Sequence, residues 1–81
     1  MSDNLEKRVF QVLREVFPSL NDEINYEWGP NEVSGWDSLN HLNLIMTLNK
    51  KFKIEITFEE VLSIEKIEDI FLLLKNKGIN S

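Results

Sequence analysis

Apolar side chains in the first part of the chain recur on a helical period. Leu5, Val9, Val12, Leu13 and Val16 stand at i, i+4, i+7, i+8 and i+11, which puts them on one face and predicts a helix over residues 3–17. Asp3 followed by Glu6 has capping-box spacing, with Asp in place of Ser or Thr. Pro18 ends the helix, because its ring drives Phe17 away from the helical region. The period is then lost from residue 18 to residue 36, where Pro18, Asn21, Gly29, Pro30, Asn31 and Gly35 punctuate the chain. A loop of this length is usually functional or holds a short element of its own, and residues 20–25 are the place for a helical turn. Leu20, Ile24, Tyr26, Trp28, Val33 and Trp36 imply that the loop lies over the core, with Trp28 and Trp36 as its anchors.

Helical periodicity returns over residues 38–52. Stepping 100° per residue from Leu39, the residues Leu44, Ile45, Leu48 and Phe52 fall at roughly 140°, 240°, 180° and 220°, whereas Leu39, Leu42 and Met46 fall at roughly 0°, 300° and 340°. These are two apolar stripes on nearly opposite faces. A helix in so small a domain buries one stripe well. The second either widens the core face or is offered to a partner. His41, at roughly 200°, lies within the first stripe and reads as a half-buried packing or hydrogen-bonding residue.

Ile54-Glu55-Ile56 alternates but is too short for a strand. Thr57 and Glu60 form a capping box that opens a short helix through Val61 and Leu62. A last helix is predicted from residue 64 or 65 to residue 76, buried through Ile64, Ile67, Ile70, Phe71 and Leu74. Glu65, Glu68 and Asp69 near its start and Lys75 and Lys77 at its end suit the helix dipole, and Gly78 suits the position just past it. The expected fold class is all-α: a small four-helix bundle of three main helices and one short one, with a long first loop, forming a single domain over residues 1–81.

Composition narrows the function. With 81 residues, nine Lys or Arg against fourteen Asp or Glu and a net charge of −5, the chain is unsuited to neutralising phosphates, so no nucleic-acid partner is expected. The 42% apolar content supports a core and separates the chain from acidic disordered tails. There is no Cys, which excludes a disulfide framework, a Cys-ligated zinc and a thiol nucleophile of the chain's own, and the one His leaves little for metal binding or proton transfer. No apolar run reaches the ~20 residues of a membrane span, and the start Met1-Ser2-Asp3-Asn4-Leu5-Glu6 lacks the pattern of a signal peptide. The expectation is a cytoplasmic, monomeric, non-enzymatic protein that does not enter a membrane.

No glycine-rich phosphate loop, calcium-binding loop or His-Glu-x-x-His motif is present. Ser38 and His41 are three apart on one helix, but nothing supplies the orienting acid and oxyanion hole that a serine hydrolase needs. The segment that stands out is Gly35-Trp36-Asp37-Ser38-Leu39, where the long loop becomes a helix. Asp37 or Ser38 makes a good N-cap, a preference worth about 1 kcal/mol. A Ser at a helix start is also a favourable place for a phosphate group, because unpaired N–H groups and the dipole favour negative charge there.

This segment, running into Leu42, Leu44-Ile45-Met46, Leu48 and Phe52, resembles the acyl carrier protein family, whose members show Asp-Ser-Leu at the start of the second helix and a Phe at its end. Lys53-Ile54-Glu55-Ile56, the capped turn from Thr57 to Glu60 and the Ile-rich last helix continue the likeness over nearly the whole chain. The resemblance implies that a phosphopantetheinyl transferase attaches 4′-phosphopantetheine from coenzyme A to Ser38 and recognises Asp37. The arm's thiol then carries acyl groups as thioesters between acyl-loading and acyl-using enzymes, so the missing Cys is no obstacle. Leu39, Leu42 and Met46, with Asn43 and Lys50 beside them, would form the partner surface, and Phe58, Leu62 and Ile67 would line an acyl groove.

The chain departs from the family pattern in charge. Many members have an acidic second helix that docks on basic partners, whereas residues 33–54 here contain Asp37 against Lys50, Lys51 and Lys53, with Asn40, Asn43 and Asn49 as further exposed positions. That region is +2, between −4 over residues 1–32 and −3 over residues 55–81. A specialised lipid, polyketide or other secondary pathway is expected in place of general fatty-acid synthesis. Other readings are an aminoacyl or peptidyl carrier, and an unmodified helical adaptor that docks through the Leu39, Leu42 and Met46 stripe.

Overall fold

The structure is a computed structural model, which describes residues 2–20 and 24–79. Among the described residues there are four helices, α1 (Ser2–Val16), α2 (Ser38–Phe52), α3 (Phe58–Ser63) and α4 (Ile67–Asn76), and no strand. The expected capping of α1 by Asp3 and the turn expected over 20–25 fall at least partly outside what is described.

α1 ends as predicted before Pro18: Phe17 donates its N–H to the Leu13 carbonyl at 2.7 Å and buries its ring. The faces of α1 and α2 read from periodicity meet in the core, where Leu5, Val9, Val12 and Leu13 lie with Leu44, Ile45, Leu48 and Phe52. Burial of such side chains contributes about 1.5–3 kcal/mol each before entropy is counted. α2 stops at Lys53, which takes a left-handed conformation (φ 54°) and returns its N–H to the Asn49 carbonyl. Asn49, expected on the exposed face, is half-buried, and its Oδ1 accepts the Ile56 N–H at 3.1 Å, which steers the chain from α2 toward α3.

The predicted capping box of α3 is complete. Thr57 Oγ1 accepts from the Glu60 N–H at 3.2 Å, and Glu60 Oε1 accepts from the Thr57 N–H at 2.9 Å. α4 starts two or three residues later than its apolar pattern suggests. Ile64 instead terminates α3 in an extended conformation, and the chain stays extended to Lys66, which caps α4 without a side-chain bond. The first N–H groups of α4 are received by the long loop: Ile67 donates to the Trp28 carbonyl and Glu68 to the Tyr26 carbonyl, both at 2.9 Å. Two helix-start donors are thereby satisfied by backbone that is distant in sequence.

This contact explains Gly29. A Cβ there would stand 2.3 Å from the Glu65 carbonyl oxygen, so only glycine lets the loop approach the α3–α4 connection so closely. Tyr26 anchors the same stretch, stacking on Phe71 at 4.8 Å and meeting Phe10 edge-on at 6.1 Å. Its hydroxyl donates to the Glu6 carboxylate. Partial burial and then that carboxylate push the phenol up to about 12. The loop therefore lies over the core as its apolar residues imply, with Val33 and Trp36 buried and Trp28 half-buried.

Candidate functional site

Only one face of α2 is used by the core. Leu39, Leu42 and Met46 are 69%, 54% and 67% exposed, so the second stripe is surface and not a wider core face. Asn43 and Lys50 are exposed along the same side, and among the described residues α2 carries no acid. Lys51 is half-buried, with its ammonium 3.9 Å from a Glu15 carboxylate oxygen and its carbonyl accepting from the Arg8 guanidinium at 3.2 Å.

At the start of the helix the structure divides two roles that the sequence leaves open. Asp37 is the N-cap: its backbone is extended, and its Oδ1 accepts the Asn40 N–H at 2.9 Å. Gly35, at φ 89°, turns the chain into this cap, and its carbonyl accepts from the Asn40 side chain at 2.7 Å. Ser38 is the first helical residue. It is exposed, and its hydroxyl has no hydrogen-bond partner among the described residues. With the capping done by Asp37, the Ser38 hydroxyl is left exposed at the start of α2. No described acceptor takes the Ser38 or Leu39 amides, so N–H donors remain beside that oxygen.

Beside Ser38 opens a cleft of about 500 Å³ between α2, α3 and the long loop, with Trp36, His41, Leu42, Val61, Leu62 and Ile64 in its lining. Pro30, Asp37 and Phe58 also reach it. Phe58 and Leu62, expected in a groove, are there, and both are largely exposed at 76% and 65%. Ile67 is not. It is fully buried in the core and stands outside the cleft lining, because α4 begins late and turns that position inward. Val61 and Ile64 occupy the wall instead.

Sequence reasoning does not find Trp36 and His41 as cleft residues, although the indole immediately before Asp37-Ser38 is a signal that something is packed there. The buried Trp36 ring lies 5.2 Å from Phe17, and its Nε1–H donates to His41 Nδ1 at 2.9 Å. An indole nitrogen is only a donor, so Nδ1 is the acceptor and the ring proton sits on Nε2. That Nε2–H donates to the Val61 carbonyl at 3.0 Å. His41, a hydrogen-bonding residue as its wheel position suggests, thus links loop, α2 and α3, and both of its nitrogens are occupied. A proton shuttle through Ser38 and His41 is not available in this arrangement. No group of three or more metal-ligating side chains and no helix long and apolar enough to cross a membrane occurs among the described residues.

An acyl carrier protein of Buchnera aphidicola subsp. Baizongia pistaciae is 31% identical to the chain over 72 residues, which is 89% of this chain and 92% of that one. The chain belongs to the acyl carrier protein family. Acyl carrier proteins of Rickettsia bellii (strain OSU 85-389) and Nitratidesulfovibrio vulgaris (strain DSM 19637 / Miyazaki F) are similar to it at 27% and 28% identity, over 90% and 91% of this chain and 90% and 97% of theirs. No family model and no solved structure matches it with significance. Members of the acyl carrier protein family are carriers and not enzymes, and this four-helix arrangement agrees with that class.

Proposed function

We propose that the chain is a carrier whose Ser38 is esterified by 4′-phosphopantetheine from coenzyme A. The observation that carries this reading is the division of labour at the start of α2: Asp37 takes the cap, and the Ser38 hydroxyl is left exposed and unpaired among the described residues, next to an apolar cleft. The residues around Ser38 fit such a group. The unpaired N–H groups and the dipole of α2 favour a phosphodiester, and Leu42, Phe58 and Leu62 offer apolar surface to an attached acyl chain. When bound, the arm supplies the thiol on which acyl groups are held as thioesters. The chain's own work is to present that attachment point rigidly, shelter the cargo and meet enzymes. Asp37 fixes the helix start and is the residue a modifying transferase would read; Leu39, Leu42, Asn43, Met46 and Lys50 are the surface on which loading and using enzymes would dock.

The partner set is a specialised one in this reading. Lys50 and Lys53 are exposed at the end of α2, where many relatives would offer carboxylates to a basic enzyme patch. Reversing both to Glu is expected to raise the rate of acylation by housekeeping fatty-acid enzymes about tenfold, an effect that salt removes. No gain counts against the charge argument.

Incubation with coenzyme A and a broad-range phosphopantetheinyl transferase, followed by intact mass, tests the attachment. A single covalent addition is expected, absent in Ser38→Ala. An unchanged wild-type mass favours the adaptor reading.

A further inference from the structure

The carrier reading gives no task to the relay from Trp36 through His41 to Val61. It runs across the cleft beside Ser38. Trp36 Nε1–H donates to His41 Nδ1 at 2.9 Å, and His41 Nε2 meets the Val61 carbonyl at 3.0 Å. All three residues line the cleft together with the buried Ile64, and Ile67 is buried in the core outside that lining. We propose that His41 is a specificity-determining residue: its two hydrogen bonds close the passage between α2 and α3, keep cargo in the surface cleft and set the chain to carry compact acyl groups. The inference rests on the carrier reading above.

The balance is between hydrogen bonds and methylenes. A chain that enters between α2 and α3 separates His41 from Val61 and displaces the indole, which strands two donors and the Nδ1 acceptor, while the Val61 carbonyl keeps the Ile64 N–H. Each such group left unpaired in an apolar setting costs a factor of roughly five to over a hundred in population. Each methylene taken from water returns only a factor of about four. A short acyl group therefore stays in the cleft, where Phe58, Leu62 and Leu42 cover it without disturbing the relay. Only many methylenes outweigh the loss. Among the described residues no buried side-chain N or O lacks a partner, so the relay is fully satisfied as it stands.

The test uses the full chain bearing the arm on Ser38, acylated with acetyl or hexanoyl groups as probes. Hydroxylamine cleavage reads thioester protection, and the NMR signal of the Trp36 indole N–H reads the relay. In the wild type, acetyl and hexanoyl thioesters are expected to cleave within twofold of each other, with the indole signal unmoved. In His41→Leu, hexanoyl is expected to cleave about tenfold more slowly than acetyl, while His41→Gln, which keeps a donor and an acceptor, restores the wild-type ratio. Tenfold protection of hexanoyl in the wild type overturns the proposal, as does a folded His41→Leu variant without dependence on chain length. If His41→Leu does not fold, the wild-type ratio and indole signal decide alone. Failure of the carrier reading is seen separately, as a chain that never gains the arm by mass.

Discussion

α3 and α4 are adjacent helices held in place by different forces. α4 buries Ile67, Ile70, Phe71, Leu73 and Leu74 and has no side-chain cap at its start. α3 buries none of its residues fully, rests on the core only through half-buried Val61, and is otherwise held by directional polar contacts. These are its capping box, the His41 bond to Val61 and the ion pair of Glu60 with Lys77 at 3.0 Å. Burial is non-directional and distributed, so α4 is insensitive to any one polar group. Hydrogen bonds are few and geometric, so α3 depends on each of its tethers. The cleft beside Ser38 is walled by the second kind of helix. Its shape can change while the core stays intact.

Substitutions of graded severity sharpen this contrast. Ile70→Ala in α4 removes a fully buried side chain and is expected to cost about 3 kcal/mol of global stability, read as a lower urea midpoint with little change in slope. Gly29→Ala places a methyl group on the Glu65 carbonyl and is expected to cost about 2 kcal/mol, with the amides of Ile67 and Glu68 losing protection against exchange as the loop lifts off α4. Thr57→Ala is expected to cost about 1 kcal/mol, confined to α3: faster amide exchange there and no loss of protection in α4. Equal loosening of both helices by Thr57→Ala would break the comparison.

The smallest effect is one of pH. Glu60 is held below its ordinary carboxylate value, first by the Thr57 backbone N–H and then by the Lys77 ammonium. A depressed folded value means that the unfolded chain binds the proton more readily. The contribution of Glu60 is therefore complete above 4.5 and fades as the pH falls through the folded value. Protection factors of the α3 amides are expected to fall on acidification below about pH 4.5, and Lys77→Ala to make that fall smaller by raising the folded value toward 4.5.

Most of the fold is legible because each main helix carries its own local signals. Period 3.6 marks α1, α2 and α4, Pro18 ends the first, and Thr57 with Glu60 opens the short one. The two faces of α2 are separable by angle, although only packing shows that Leu39, Leu42 and Met46 remain exposed. Periodicity misplaces the start of α4 because Ile64 keeps the apolar rhythm while its backbone is extended. The true start depends on carbonyls of Tyr26 and Trp28, which no window around residue 64 contains.

The candidate site divides in the same way. By itself the sequence singled out Ser38, since Asp37-Ser38-Leu39 at a helix start is a local pattern, and it determined that the second helix carries no acid. Tertiary structure decided the rest. It assigned the cap to Asp37 and so freed Ser38, it drew Ile67 out of the cleft into the core, and it joined Trp36, His41 and Val61 across twenty-five residues. The physical reason is range. Caps and helical periods act over three or four residues and leave a trace in order and spacing. A hydrogen bond between two helices exists only after the core has brought them together.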